Sequence, residues 1–211
     1  MNLQLALDRL TKEECLRIID ETRESIDWIE VGTSVIKEYG MAFVREVKKA
    51  YPEKVIVTDM KTMDAGGHEA IQAFEAGADI TTVMALSSDL TISDMMKVAK
   101  EYNTRIMVDL LEVSNPERIK ELEKLGVDLV SLHIGKDKQR EGKFDVSHFA
   151  LVEDFPFEVT VAGGIDLGTL PDVLEKAPNT VIVGSAITKA EKPGEVAAEM
   201  KRLMNEFANK N

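Results

Sequence analysis

Asp59, Lys61 and Asp64 stand close together in the string Asp59-Met60-Lys61-Thr62-Met63-Asp64-Ala65-Gly66-Gly67. The string follows the apolar run Lys54-Val55-Ile56-Val57-Thr58, which has the composition of a buried strand. Side chains on an extended strand alternate faces, so Asp59 and Lys61 are expected to point the same way. Gathering an ammonium and two carboxylates in one place is costly unless chemistry uses them. The competing expectation is a solvated strand-to-helix loop that holds a local ion pair.

More polar groups fall where apolar runs end. Asp8 follows the run at 3–7, Glu30 lies in Trp28-Ile29-Glu30-Val31-Gly32, and Asp109 and His133 sit near the ends of two later runs. Each has a local explanation. Asp8 could cap the next helix, although Thr11 is better placed to do so. Glu30 is expensive inside an apolar run unless something pairs with it, and a strand-closing histidine is commonly structural. Together with Asp59 and Lys61, however, they recur at one end of successive strands. In an α/β barrel that end is the mouth where active sites are built. Three carboxylates at one mouth call for a hard cation. Mg²⁺ fits because it takes a few carboxylates plus water and substrate oxygens. Zinc fits less well: Cys15 is remote, and His68 and His148 fall on helix or loop segments.

Two glycine-bearing segments, Val161-Ala162-Gly163-Gly164-Ile165 and Val183-Gly184-Ser185-Ala186-Ile187, end the last two strand candidates. Loops in those places of a barrel commonly form a phosphate site. Glycine lets the backbone approach, and amide N–H groups donate to the anion's oxygens. Tight turns that merely need glycine explain either segment alone better than both. A small phosphorylated substrate is therefore expected.

Placing these groups requires eight β-rich runs, at 3–7, 26–31, 55–59, 80–84, 105–110, 129–133, 158–161 and 181–183. Helical patterns lie between most of them, at 35–50, 69–75, 92–102, 117–125 and 196–207, with the weakest at 139–152. Cys15 sits on a helical face in Glu13-Glu14-Cys15-Leu16-Arg17-Ile18-Ile19 and is expected to be a buried structural thiol. Gly77 and Gly126 are expected to end helices in the left-handed conformation. No linker divides the chain, so the expected architecture is α/β, a single (β/α)8 TIM-barrel domain over 1–211. A doubly wound sheet would show a glycine-rich turn after its first strand, and here Leu7-Asp8-Arg9-Leu10 follows instead.

Composition is that of an ordinary soluble globular protein: 211 residues, 44% hydrophobic and 30% charged. A net charge of −12 argues against a nucleic-acid partner, which needs a basic face. One cysteine precludes an internal disulfide and suits a reducing compartment. No signal-peptide pattern and no apolar run of membrane-spanning length are present. A cytoplasmic protein without a membrane partner is expected.

These motifs resemble the orotidine 5′-monophosphate decarboxylase suprafamily, and within it the 3-hexulose-6-phosphate synthases, over essentially the whole chain. The resemblance rests on Leu3-Gln4-Leu5-Ala6-Leu7-Asp8, Ile29-Glu30-Val31-Gly32-Thr33, Asp59-x-Lys61-x-x-Asp64-Ala65-Gly66-Gly67 and Glu75-Ala76-Gly77-Ala78-Asp79. His133, Ala162-Gly163-Gly164-Ile165 and Val183-Gly184-Ser185 complete it. The Asp-Ala-Gly-Gly ending is the specific part, since orotidine monophosphate decarboxylases share only D-x-K-x-x-D and do not use Mg²⁺.

The resemblance implies an Mg²⁺-dependent condensation of D-ribulose 5-phosphate with formaldehyde, to D-arabino-hex-3-ulose 6-phosphate, reversibly and through an enediolate. It implies Glu30 and Asp59 as metal ligands, Lys61 as an electrostatic partner of the enediolate, and His133 as the proton carrier. Asp8 and Asp109 would orient substrate hydroxyls and Lys61. Gly163, Gly164, Gly184 and Ser185 would take the phosphate. Asp64 would reach across a homodimer interface into the neighbouring subunit's site. A sister activity, decarboxylation of 3-keto-L-gulonate 6-phosphate, uses nearly the same pattern. Asp109 and Gly135 match the synthases better. Lys136 stands where those decarboxylases carry arginine, and Ile134 and Lys136 depart from both patterns. A phosphosugar-binding barrel without turnover is a third reading, and it would be expected to show a broken polar set.

Overall fold

The apolar runs become eight parallel strands in the computed structural model, which describes residues 1–140 and 145–209. They are β1 (Asn2–Leu7), β2 (Trp28–Val31), β3 (Val55–Thr62), β4 (Ile80–Met84), β5 (Arg105–Asp109), β6 (Leu129–His133), β7 (Glu158–Ala162) and β8 (Thr180–Val183). Each pairs with the next, and β8 returns to β1 from Asn2↔Thr180 to Leu5↔Val183, closing the barrel. The (β/α)8 expectation holds.

The helices are α1 (Lys12–Thr22), α2 (Thr33–Ala50), α3 (Gly66–Glu75), α4 (Asp89–Tyr102), α5 (Pro116–Lys124), α6 (Leu170–Leu174), α7 (Ser185–Thr188) and α8 (Pro193–Ala208). Thr11, not Asp8, caps α1: its hydroxyl accepts from Glu14 N while the Glu14 carboxylate accepts from Thr11 N. Gly77 and Gly126 follow α3 and α5 at φ 96° and 85°, as expected of left-handed terminators. Cys15 is buried, which pushes its thiol up to about 12.

Three expectations need correction. The helix foreseen at 35–50 is broken at Gly40, whose φ of 64° and ψ of −169° no helix contains. The segment 139–152 yields 3₁₀ turns at Lys138–Arg140 and Val146–Leu151 instead of a helix, and its residues 141–144 lie outside the described ones. β3 does not end at Asp59 but runs on to Thr62 through a register shift against β4.

Strand alternation builds the interior. Leu3, Leu5 and Leu7 face the helices within the main core, while Ala6 joins Val57, Ile80, Met107, Leu129 and Ile182 in a separate apolar cluster inside the barrel. Two residues further along the same inward faces come Asp8, Asp59, Thr82, Asp109, Ser131 and Gly184. An apolar floor thus carries a polar layer at the carboxyl ends of the strands. Among the described residues no helix is long and apolar enough to cross a membrane.

Candidate active site

The polar layer opens into a cavity of about 500 Å³ at the carboxyl ends of the strands. Asp8, Glu30, Asp59, Lys61, Asp109 and His133 line it, and so do Gly163, Gly164, Gly184 and Ser185. Asp64 does not. It is exposed, and its carboxylate accepts from the backbone N–H of Ala65.

Lys61 sits at the centre. Its ammonium lies 2.9 Å from Asp59 Oδ2 and 2.8 Å from Asp109 Oδ2. Burial works against this charge, but the two carboxylates outweigh it and raise the group above its ordinary value. The contact between Asp59 and Lys61 was expected from strand alternation, yet the backbone makes it differently. Lys61 has φ 49°, inside an irregular stretch of β3. Asp59 is held from three sides. Thr82 donates to Oδ1 at 2.9 Å, Thr33 donates to Oδ2 at 2.8 Å, and Lys61 bridges both oxygens.

Asp109 links the cation to the imidazole. Its Oδ2 that receives Lys61 also lies 2.9 Å from His133 Nδ1, and its Oδ1 accepts from Leu111 N. Burial would raise this carboxyl, but hydrogen bonds and charge from His133 and Lys61 bring it down to about 2. An ionised carboxylate only accepts, so Nδ1 carries the proton and Nε2 is left as the basic nitrogen.

Glu30 is the anomaly. It is 7% exposed, and burial together with the charges of Asp59 and Asp8 pushes its carboxyl well above the ordinary value. Gln4 Nε2 donates to its Oε2 at 2.6 Å, while Gln4 Oε1 is buried without a partner. Nothing among the described residues bonds the other Glu30 oxygen. A buried carboxylate facing two more carboxylates is only partly offset by Lys61, and a divalent cation would supply the missing charge. No cluster of three or more carboxylate, imidazole or thiol ligands occurs among the described residues. Two carboxylates suffice for Mg²⁺ when water and substrate complete its shell, so Glu30 and Asp59 fit that ion. Metal at Asp59 would compete with Lys61, which could then rest on Asp109.

At the far side of the mouth, Gly163 and Gly164 have φ of 115° and 70°. A Cβ on Gly163 would meet Ile134 O at 2.5 Å, so the protein itself requires that glycine. Gly184 differs: the nearest atom to a Cβ there is Ala6 O at 3.6 Å. Space beside Gly184 is therefore left for something other than protein.

Several cations line the cavity, and of these the sequence singled out Lys136 alone. Arg9, Lys37, Lys136 and Lys189 line the cavity, and none forms an ion pair among the described residues. They follow β1, β2, β6 and β8, so Lys136 and Lys189 stand beside the glycine-bearing segments while Arg9 and Lys37 follow the strands that lead into Asp8 and carry Glu30. Ser34 donates to Asp8 at 2.8 Å. Gln4 and Thr82 lie within strands, where a polar residue reads as ordinary barrel wall, and Thr33 opens α2, where it reads as a helix start.

Comparisons with known proteins agree with the fold and place the chain in a family. The model of the orotidine 5′-phosphate decarboxylase / HUMPS family matches residues 1–200. A Bacillus subtilis protein named 3-hexulose-6-phosphate synthase is 41% identical over 207 residues, 97% of this chain and 99% of that protein. The crystal structure of 3-hexulose-6-phosphate synthase from Salmonella typhimurium superposes with a TM-score of 0.96 at 35% identity, covering 98% of this chain and 100% of that one. That of 3-keto-L-gulonate-6-phosphate decarboxylase from Vibrio cholerae gives 0.86 at 27% identity, covering 98% of both chains.

Proposed function

The chain belongs to the orotidine 5′-phosphate decarboxylase / HUMPS family, and from that premise we propose that it is a lyase joining D-ribulose 5-phosphate to formaldehyde, reversibly, to give D-arabino-hex-3-ulose 6-phosphate. One observation carries the reading: a single oxygen of Asp109 holds both the Lys61 ammonium and His133 Nδ1. A base and a fixed positive charge are thereby presented to the same bound molecule. His133 Nε2 would take a proton from C1 of the ketose, and Lys61 would offset the negative charge left on the enediolate oxygens. The carbon then attacks formaldehyde, and the imidazolium returns its proton to the new alkoxide. Asp8, fixed by Ser34, would orient a substrate hydroxyl. The Gly163–Gly164 and Gly184–Ser185 backbone, with the unpaired cations around it, would take the phosphate. Mg²⁺, held by Glu30 and Asp59, would act when bound as a Lewis acid toward substrate oxygens.

The working unit is proposed to be a homodimer. Asp64 is exposed and does not line its own cavity, and Met63, Leu86 and Leu90, which follow β3 and β4, are exposed apolar residues, 53%, 54% and 77% accessible. This supports a shared interface at the carboxyl ends of β3 and β4, with Asp64 serving the partner's site. A cytoplasmic location agrees with a single, buried cysteine that forms no disulfide.

Lys136, which lines the cavity three residues past His133, favours the sister decarboxylation as a second reading. A direct assay decides between them. Ribulose 5-phosphate plus formaldehyde is expected to turn over faster than 3-keto-L-gulonate 6-phosphate, with Mg²⁺ required. Faster loss of CO₂ would reverse the assignment, and undiminished activity in excess chelator would remove the metal from it.

A further inference from the structure

Between Thr58↔Thr81 and Thr62↔Val83, β3 takes four residue steps while β4 takes two. Asp59, Met60 and Lys61 occupy the resulting bulge, and Lys61 adopts a left-handed backbone with φ 49°, a conformation that a side chain with a Cβ disfavours. A bulge also withdraws backbone groups from the ladder, and a buried N–H must find another acceptor. The β4 residue opposite the bulge is Thr82, which is 4% exposed. Its Oγ1 accepts the Lys61 N–H at 2.9 Å and lies 2.9 Å from Asp59 Oδ1, to which it donates. Its neighbour Thr81 behaves differently, donating to the backbone of Thr58 and so serving only the barrel wall.

We propose that Thr82 is a positioning residue: its single hydroxyl fastens the strained Lys61 backbone to the Asp59 carboxylate. The linkage sets where the Lys61 ammonium stands between Asp59 and Asp109. A hydroxyl suits the task because it accepts and donates at once; without it the Lys61 N–H loses its acceptor and Asp59 is held by Thr33 and Lys61 alone. The inference deepens the proposed lyase reading and rests on it for its effect on turnover, but not for the geometry itself.

Thr82→Val keeps the shape and removes the hydroxyl, whereas Thr82→Ser keeps the hydroxyl. With ribulose 5-phosphate and formaldehyde, Thr82→Val is expected to lower kcat by roughly 10- to 100-fold, the scale of a lost hydrogen bond to a charged group. KM for the phosphosugar should change by less than about threefold, since the Thr82 hydroxyl is engaged by the Lys61 N–H and Asp59 within the protein. Thr82→Ser should restore most of the rate. Amide exchange of peptides spanning 59–62, followed by mass spectrometry, should accelerate in Thr82→Val and stay slow in Thr82→Ser. This second reading needs no turnover, so failure of the lyase assignment and failure of the Thr82 role are separable. Should Thr82→Val not fold, Thr82→Ala carries the same two measurements. Wild-type kcat and exchange in a hydroxyl-free variant would overturn the proposal, as would equal losses in the serine and valine variants.

Discussion

At the scale of single residues the site is a balance of charges. Lys61 answers Asp59 and Asp109, whereas Glu30 has no cation of its own. Since the folded protein raises the Glu30 carboxyl, ionising it opposes folding, and the penalty grows as pH rises above the ordinary carboxylate range. Glu30→Gln should therefore melt higher than the metal-free wild type at pH 8, with a smaller gap at pH 5. The scale is roughly 2–4 °C for each kcal/mol relieved. Added Mg²⁺ should raise Tm in the wild type and not in the variant, and turnover of the variant should fall by ~10²-fold or more through the lost ligand. A lower Tm for metal-free Glu30→Gln at pH 8 would show that the charge is already compensated. Asp109 has the opposite sign. Its carboxyl is held at about 2 against an ordinary 3.8, so its contribution is complete above pH ~4 and lost as pH falls through ~2. Acid titration of stability should be flatter in Asp109→Asn over that window, and an unchanged profile would contradict the His133 and Lys61 contacts.

At the scale of elements, the two glycine-bearing loops make separable claims. Gly163 is needed by the fold, because a Cβ would strike Ile134 O and its φ is 115°. Gly184 has room for a Cβ as far as the protein is concerned. Gly163→Ala should lose stability. Gly184→Val should fold with near-native Tm yet raise KM for the phosphosugar, as expected if the phosphate lies there. Unaltered KM in a folded Gly184→Val would move the phosphate elsewhere. Much of this layout was legible in the chain. Parallel strands buried on both faces read as apolar runs, and adding two residues to each inward apolar side chain lands on the site, as from Val57 to Asp59 or Met107 to Asp109. What stayed hidden depends on partners distant in sequence. The β3 bulge exists because Thr82 of another strand accepts the Lys61 N–H. The break at Gly40 leaves the apolar spacing of α2 intact, and Arg9, Lys37 and Lys189 look like any surface cation until the barrel closes around them. The described residues at Lys138–Arg140 and Val146–Leu151 form 3₁₀ turns, and the polar sequence of the first offers no continuous face to bury.

At the scale of the whole molecule, the position of Asp64 is the open element of the site. It is part of the same motif as Asp59 and Lys61, yet within its own chain it lies outside the cavity and is exposed. β3 and β4 are neighbours, so Met63 and Leu86, which follow them, bring exposed apolar surface to the same edge of the mouth. Arg118 fixes the loop after β4 through Ala85 O, Ser87 O and the Asp89 carboxylate, so Leu86 and Leu90 are presented on a braced segment. If a second copy covers this edge by two-fold symmetry, each site takes Asp64 from the other chain. Asp64→Asn and Lys61→Ala should then be nearly inactive as separate homodimers. In a heterodimer of the two, one site carries both lesions and the other neither, so activity should return toward half that of the wild type. Co-expression with two affinity tags isolates that heterodimer, and Leu90→Glu in both chains should abolish its recovery by separating the subunits. A verified heterodimer that stays inactive would mean that Asp64 serves only its own chain, and the shared site would have to be abandoned.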